Sequence, residues 1–130
     1  MPVLLDTTVL IDALRGTVEV RTRLEAMHRE GEVPLTSTIN VEEVFRWLRP
    51  REQIPAERLL RGLRLAPLGR AEGERAGVWR REHARRGITL SQSDCLVAAA
   101  AIGAGATLAT GNPKDFPFAE LTVEHWPAGQ

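Results

Sequence analysis

Four stretches of the chain carry acidic or polar side chains where a fold could bring them together. They are DTTVLID, with Asp6 closing the apolar run PVLL; NVEEV, with Glu43; LSQSDCLV, with Asp94; and LATGNPKDF, with Asn112 and Asp115. Carboxylates sharing one crevice favour one kind of chemistry. Two of them about 4 Å apart repel by roughly 4 kcal/mol at an effective dielectric near 20. Three or four must raise a pKa or take up a cation. No lysine lies near Asp6, Glu43 or Asp94 in the sequence to neutralise them. A hard divalent ion, Mg²⁺ or Mn²⁺, suits oxygen ligands and water. Zinc does not fit, because CxxC spacing is absent and His28, His83 and His125 stand singly.

Each acid also has a plain structural reading. Ser91-Gln-Ser-Asp94 fits a capping box, Asn40-Val-Glu-Glu43 is a variant with Asn as the cap, and Asp6 before Thr7 can cap the first helix. A cap needs no companions, whereas a cation site needs several carboxylates together. Four acids at four successive places along one parallel sheet favour the cation site.

The elements that must position these acids alternate between strand and helix. PVLL, VPLTSTI and ATLAT read as strands, LAPL as a weaker strand pushed towards an edge by Pro67, and LTVEHW as a last strand. TTVLIDAL, VEVRTRLEAMHREG, NVEEVFRWLRP (closed by Pro50), PAERLLRGL, AEGERAGVWRREHARRG and SQSDCLVAAAAIGAG read as helices. This order predicts an α/β fold with a mostly parallel central sheet covered on both faces. Ligands of such sheets bind at the carboxyl ends of the strands, where the acids fall.

Composition bounds the remaining possibilities. At 130 residues the chain predicts one domain, spanning 1–130, without repeats or low-complexity segments. Seventeen basic and seventeen acidic side chains cancel, so no global field draws in nucleic acid or an anionic membrane. Any such contact needs a local patch, and Arg80, Arg81, Arg85 and Arg86 form the densest, with Arg46, Arg49 and Arg51 a second. Lone Cys95, in an apolar helical run, reads as a small buried hydrophobe and fits a reducing compartment. The start lacks the pattern of a signal peptide, and no apolar stretch reaches the roughly 20 residues of a spanning helix. The expected location is cytoplasmic, away from membrane.

Taken together, DTTVLID, STINVEEV, LSQSDCLVAAAA and LATGNPKDF, in this order and spacing, resemble the PIN domain, in the short form found in VapC-type toxins of toxin–antitoxin pairs. The resemblance runs from about residue 3 to 118, with 50–88 matching in layout only. It implies a three-layer α/β/α sandwich and a Mg²⁺- or Mn²⁺-dependent ribonuclease, homodimeric and silenced by a VapB-like antitoxin. By position it assigns metal binding and catalysis to Asp6, Glu43 and Asp94. Family members place the fourth acid either at the position of Asn112 or three residues on. Asn112 is neutral here, so Asp115 takes the role, through water. Thr7 and Thr110 are hydroxyls placed to orient a ligand or water. One metal or two stays open.

Such a site hydrolyses RNA with activated water, giving 5′-phosphate and 3′-hydroxyl ends. Single-stranded or loop RNA suits a pocket that must reach the phosphate. Trp47 and Trp79, on amphipathic helices, are expected in the core or a dimer contact. The alternative is a catalytically silent PIN domain that binds RNA or protein. A haloacid-dehalogenase-like phosphatase would need a second Asp where Thr8 stands, and a serine hydrolase would need a GxSxG elbow.

Overall fold

The computed structural model describes residues 1–127. Its strands are β1 (Pro2–Leu5), β2 (Val33–Thr36), β3 (Arg64–Leu65), β4 (Thr107–Thr110) and β5 (Val123–His125). Its helices are α1 (Thr7–Leu14), α2 (Val18–Glu30), α3 (Thr38–Arg46), α4 (Gln53–Arg61), α5 (Arg70–Arg85) and α6 (Gln92–Gly103). The sheet order is β3-β2-β1-β4-β5, and every neighbouring pair runs parallel. The chain first builds outward from β1 to β3, then crosses back to place β4 on the other side of β1. The switch point between β1 and β4 opens a crevice at the carboxyl edge of the sheet.

Alternation along the strands divides the core in two. Leu4, Leu35 and Leu108 pack on one face against α5, α6 and the Phe116–Phe118 segment. Val3, Leu5 and Ala109 pack on the other against α1 to α4 and Trp126. The layers are therefore helix, sheet, helix, the α/β/α sandwich expected. Helix α6 buries Cys95 and every residue from Val97 to Ala101. Its small side chains let it lie close to both the sheet and α5, and Cys95 is the buried hydrophobe predicted. Trp79 is also core, stacked on Phe118 with ring centroids 4.2 Å apart. The Nδ1 of buried His83 lies 2.8 Å from the Trp79 carbonyl. Trp47, in contrast, is 61% exposed, which excludes the core placement for that residue.

Several boundaries differ from the sequence expectation. The strand read as VPLTSTI stops at Thr36, because Ser37 turns its hydroxyl to cap α3 and accepts the Asn40 N–H. Asn40 is thus inside the helix and is not its cap. Helix α3 ends at Arg46, four residues before Pro50. Proline clashes with the carbonyl four residues back, here that of Arg46, and holds Arg49 extended at φ −82°, ψ 155°. Pro50 instead opens a short 3₁₀ turn. The LAPL strand shrinks to the two-residue edge strand β3, which overlaps it only at Leu65. Ala66 adds one further bond, donating its N–H to the Thr36 carbonyl, before Pro67 ends the pairing.

The tight seat of α6 yields a stability prediction. Replacing fully buried Ala100 by leucine should overpack the helix–sheet layer and cost about 1–3 kcal/mol, read as a lower urea midpoint. An unchanged midpoint would mean that the layer is looser than described.

Candidate active site

Because the strands are parallel, the segments leaving β1, β2 and β4 emerge at the same edge, joined there by the first turn of α6. Asp6 ends β1, Glu43 lies in the second turn of α3, Asp94 is the third residue of α6, and Asp115 closes a 3₁₀ turn (Pro113–Asp115) after β4. The four acids share one electrostatic neighbourhood. The charges of Asp94 and Glu43 both act on Asp6, and those of Asp115 and Glu43 both act on Asp94.

Asp6 is the most constrained of the four, with 8% of its surface exposed. It stands at the N-cap position of α1, but its side chain makes no capping bond. The backbone serves that end of the helix instead, its carbonyl accepting the N–H groups of Val9 and Leu10. The carboxylate is left to face the crevice. Its Oδ2 accepts from the Thr110 hydroxyl at 2.7 Å, and its Oδ1 from Asn40 Nδ2 at 3.1 Å. Asn40, fully buried, also donates to Thr7 Oγ1 at 3.0 Å, and the Thr7 hydroxyl in turn donates to Glu43 Oε1 at 2.7 Å. Ser37 completes the set by donating to Asn40 Oδ1 at 2.6 Å. The hydroxyls of Thr7 and Thr110 therefore orient carboxylates.

Every donor in this shell is neutral. Among the described residues, no lysine or arginine forms an ion pair with Asp6, Glu43, Asp94 or Asp115. Burial accordingly pushes the Asp6 carboxyl above its usual range. The bonds from Thr110 and the Thr7 backbone oppose this, and the charges of Asp94 and Glu43 add to it. Asp94 is raised first by burial, against a Ser91 hydrogen bond, and further by Asp115 and Glu43. Ser91 caps α6 by accepting the Asp94 N–H at 3.1 Å, so capping is real at this position. It uses the backbone of Asp94 and leaves the carboxylate's acceptor capacity largely free.

The acids lie within electrostatic reach of one another without closing into a cluster. Among the described residues, no three Asp, Glu, His or Cys side chains stand close enough to hold an ion as arranged. Like charges with only neutral partners keep their distance, and the Thr7, Asn40 and Thr110 bonds fix Glu43 and Asp6 where they are. The donor set still fits a hard cation: all ligand atoms are oxygen, and each carboxylate keeps unused lone pairs. Asn112 is exposed and contributes its backbone N–H to Thr110 Oγ1 at 3.1 Å.

Sequence reasoning missed the neutral shell of Ser37 and Asn40, and missed Thr8, which accepts the Gly111 N–H at 2.8 Å and ties the loop after β4 to α1. A signal existed for Ser37, a small hydroxyl three residues before Asn40. None existed for the pairing of residues 6 and 40.

A sequence profile of the PIN domain matches residues 3–121. The chain belongs to the PIN-domain family. This PIN domain is 32% identical over 125 residues to Ribonuclease VapC10 of Mycobacterium tuberculosis, covering 96% of this chain and 86% of that protein. Its fold matches VapBC2 from Rickettsia felis, bound to a promoter DNA fragment, with a TM-score of 0.84 at 23% identity over 97% of this chain and 99% of that one. DNA-bound VapBC from Salmonella typhimurium gives 0.82 at 22% identity over 97% and 98%. Among the described residues, no helix is long and apolar enough to cross a membrane.

The raised acids have a consequence for stability. Between the ordinary aspartate value of 3.8 and the raised values, the folded chain binds more protons than the unfolded one. The stability these groups contribute is therefore greatest below 3.8 and is lost as pH rises through that window. In ion-free buffer Asp94→Asn should raise Tm by a few degrees at neutral pH, with the gain shrinking as pH approaches 3.8. A lower Tm at every pH would assign Asp94 a purely structural role. Thr110→Val removes the 2.7 Å donor to Asp6 and should raise that carboxyl further, seen by NMR titration of the side chain.

Proposed function

We propose that this PIN domain is a metal-dependent endoribonuclease, the toxin of a toxin–antitoxin pair, acting in the cytoplasm. The observation that carries the reading is the set of four carboxylates from four chain segments, mutually repelling and without a cationic partner. The likeness to Ribonuclease VapC10 supports the same activity and RNA as the substrate.

Asp6, Glu43 and Asp94 would hold Mg²⁺ or Mn²⁺, with Asp115 acting through water. The ion, when bound, supplies positive charge against a phosphate and a water acidic enough to attack near neutral pH. Asp6 needs little adjustment, because Thr110 and Asn40 already set its plane. Glu43, now bonded to the Thr7 hydroxyl at 2.7 Å, would be the second ligand. Asn40 remains to keep Thr7 and Asp6 in register. Asp94, half-buried in the first turn of α6, would supply a third carboxylate from a separate chain segment. Among the described residues no histidine side chain bonds to these groups, so hydrolysis by water is favoured over attack by the 2′-hydroxyl, and the products are 5′-phosphate and 3′-hydroxyl ends. An acidic crevice repels the RNA backbone. The exposed arginines of α5, Arg80, Arg81 and Arg85, with neighbouring Arg86, form no ion pair among the described residues and suit that backbone.

The partners follow from the same reading: single-stranded or loop RNA, a VapB-like antitoxin and a second copy of the chain. The VapBC assemblies with this fold support the antitoxin. Exposed Trp47, beside Arg46, is the residue we place at a dimer contact.

Purified protein should cleave single-stranded RNA with Mg²⁺ or Mn²⁺ and stop in chelator. Asp94→Asn should lower turnover by more than the roughly 10–100-fold that losing a mere outer-shell partner of a metal ligand costs, while circular dichroism stays unchanged. Equal cleavage with and without chelator would remove the metal from the mechanism. A folded parent chain that binds RNA and never cleaves it would establish the silent binding module instead.

A further inference from the structure

Beside the acid crevice, on the β5 side, lies an open cavity of about 650 Å³ that the cleavage chemistry does not use. Its volume is within the roughly 300–1,000 Å³ range of small-molecule sites. Thr8, Gly111 and Asn112 form the part of its lining nearest in the hydrogen-bond network to Asp6. The Thr8–Gly111 bond and the Asn112 N–H to Thr110 bond make that part continuous with the Asp6 shell. The cavity also takes in Pro113 and Lys114 of the turn that Asp115 closes, so it adjoins the loop carrying one of the acids.

Besides Thr8, whose hydroxyl accepts the Gly111 N–H, the polar side chains lining the cavity are those of Asp12, Asn112, Lys114 and His125. Asp12 supplies a carboxylate, which only accepts hydrogen bonds. Lys114, the sole lysine of the chain, supplies an ammonium, which only donates, and it forms no ion pair among the described residues. Asn112 adds an amide. Trp126 is a wall and not a stacking platform, since it is 2% exposed and carries Arg23 over its ring at 4.6 Å.

We propose that this cavity is a base-reading subsite for guanine. Guanine's Watson–Crick edge offers two adjacent donors, N1–H and the N2 amino group, beside one acceptor, O6. Asp12 accepts the two donors in parallel, and Lys114 or the Asn112 amide donates to O6. The other bases do not match. Adenine and cytosine pair one amino donor with a ring-nitrogen acceptor that would face the carboxylate, and uracil sets a single N–H between two carbonyls. Reading an unpaired base by this edge is how proteins select single-stranded RNA. The proposal rests on the ribonuclease reading and adds to it a preference for one base.

Binding tests the subsite without cleavage. The chain, in chelator, is titrated with the four nucleoside 5′-monophosphates and followed by amide NMR. The phosphate is common to all four, so differences report the base. The guanine nucleotide should bind about tenfold or more tightly than the others, the size of one bidentate base contact. Asp12→Asn should erase that preference, and Lys114→Met should weaken the guanine nucleotide several-fold while the chain stays folded. Asp94→Asn should keep the preference while cleaving nothing. Equal affinity for the four nucleotides, no binding at all, or a preference that survives Asp12→Asn would overturn the subsite. A chain that prefers guanine but never cuts RNA would sink the ribonuclease reading and leave the subsite standing.

Discussion

A negative charge is held near the middle of this protein by neutral donors alone, and much of the surrounding architecture follows from that. Asp6 ends the central strand, and the groups that reach its oxygens come from Asn40, in the helix after β2, and Thr110, at the end of β4. An arginine would satisfy the same carboxylate more strongly, but it would also cancel the charge. Neutral donors orient Asp6 and leave its charge to be compensated from outside. The cost is a raised protonation equilibrium and a crevice whose acids repel one another. The order β3-β2-β1-β4-β5 is what makes this possible, because it puts β1 between the two strands that lead to the donors.

The acids differ in how firmly they are held. Asp6 is buried and doubly bonded, Glu43 is tied through one hydroxyl, and Asp94 rides on a capped helix end. Asp115 is exposed, and its place is set from a distance by Phe116 and Phe118, which anchor the following segment in the core beside Trp79. The gradient runs from a rigid centre to an adjustable rim. It also matches the acids' order in sequence: the best-fixed one begins the first helix, and the least fixed lies in a late turn.

Much of this was legible from residue order. β1 and β4 are short apolar runs buried on both faces, so composition marked them clearly, and α1, α2, α5 and α6 fell close to their expected spans. The acids were legible because a parallel sheet collects its strand ends on one edge. The failures have physical causes. Thr36-Ser37-Thr38-Ile39 suits a strand as well as a helix start, and only the Ser37 cap decides. Proline ended α3 through a carbonyl four residues behind it, so the break appears at Arg46 rather than Pro50. Asn40 looked like a cap because its type favours caps, yet its amide is consumed by a carboxylate 34 positions away. Side-chain bonds of that span leave no local mark, and neither does a cavity whose walls come from the first helix and the last strand.

Gly111 belongs to no catalytic list, yet its lack of a side chain sets a distance. A methyl group there would meet the Thr8 hydroxyl oxygen at 3.2 Å, closer than most such contacts, and the carbonyl of Trp126 at 3.4 Å. The segment after β4 thus sits tightly between the first helix and the residue after β5, so that one added carbon would need Thr8 to give by a few tenths of an ångström. Drift at this position is closed off by crowding alone, and the spacing between crevice and neighbouring hollow is inherited by whatever sequence keeps that glycine.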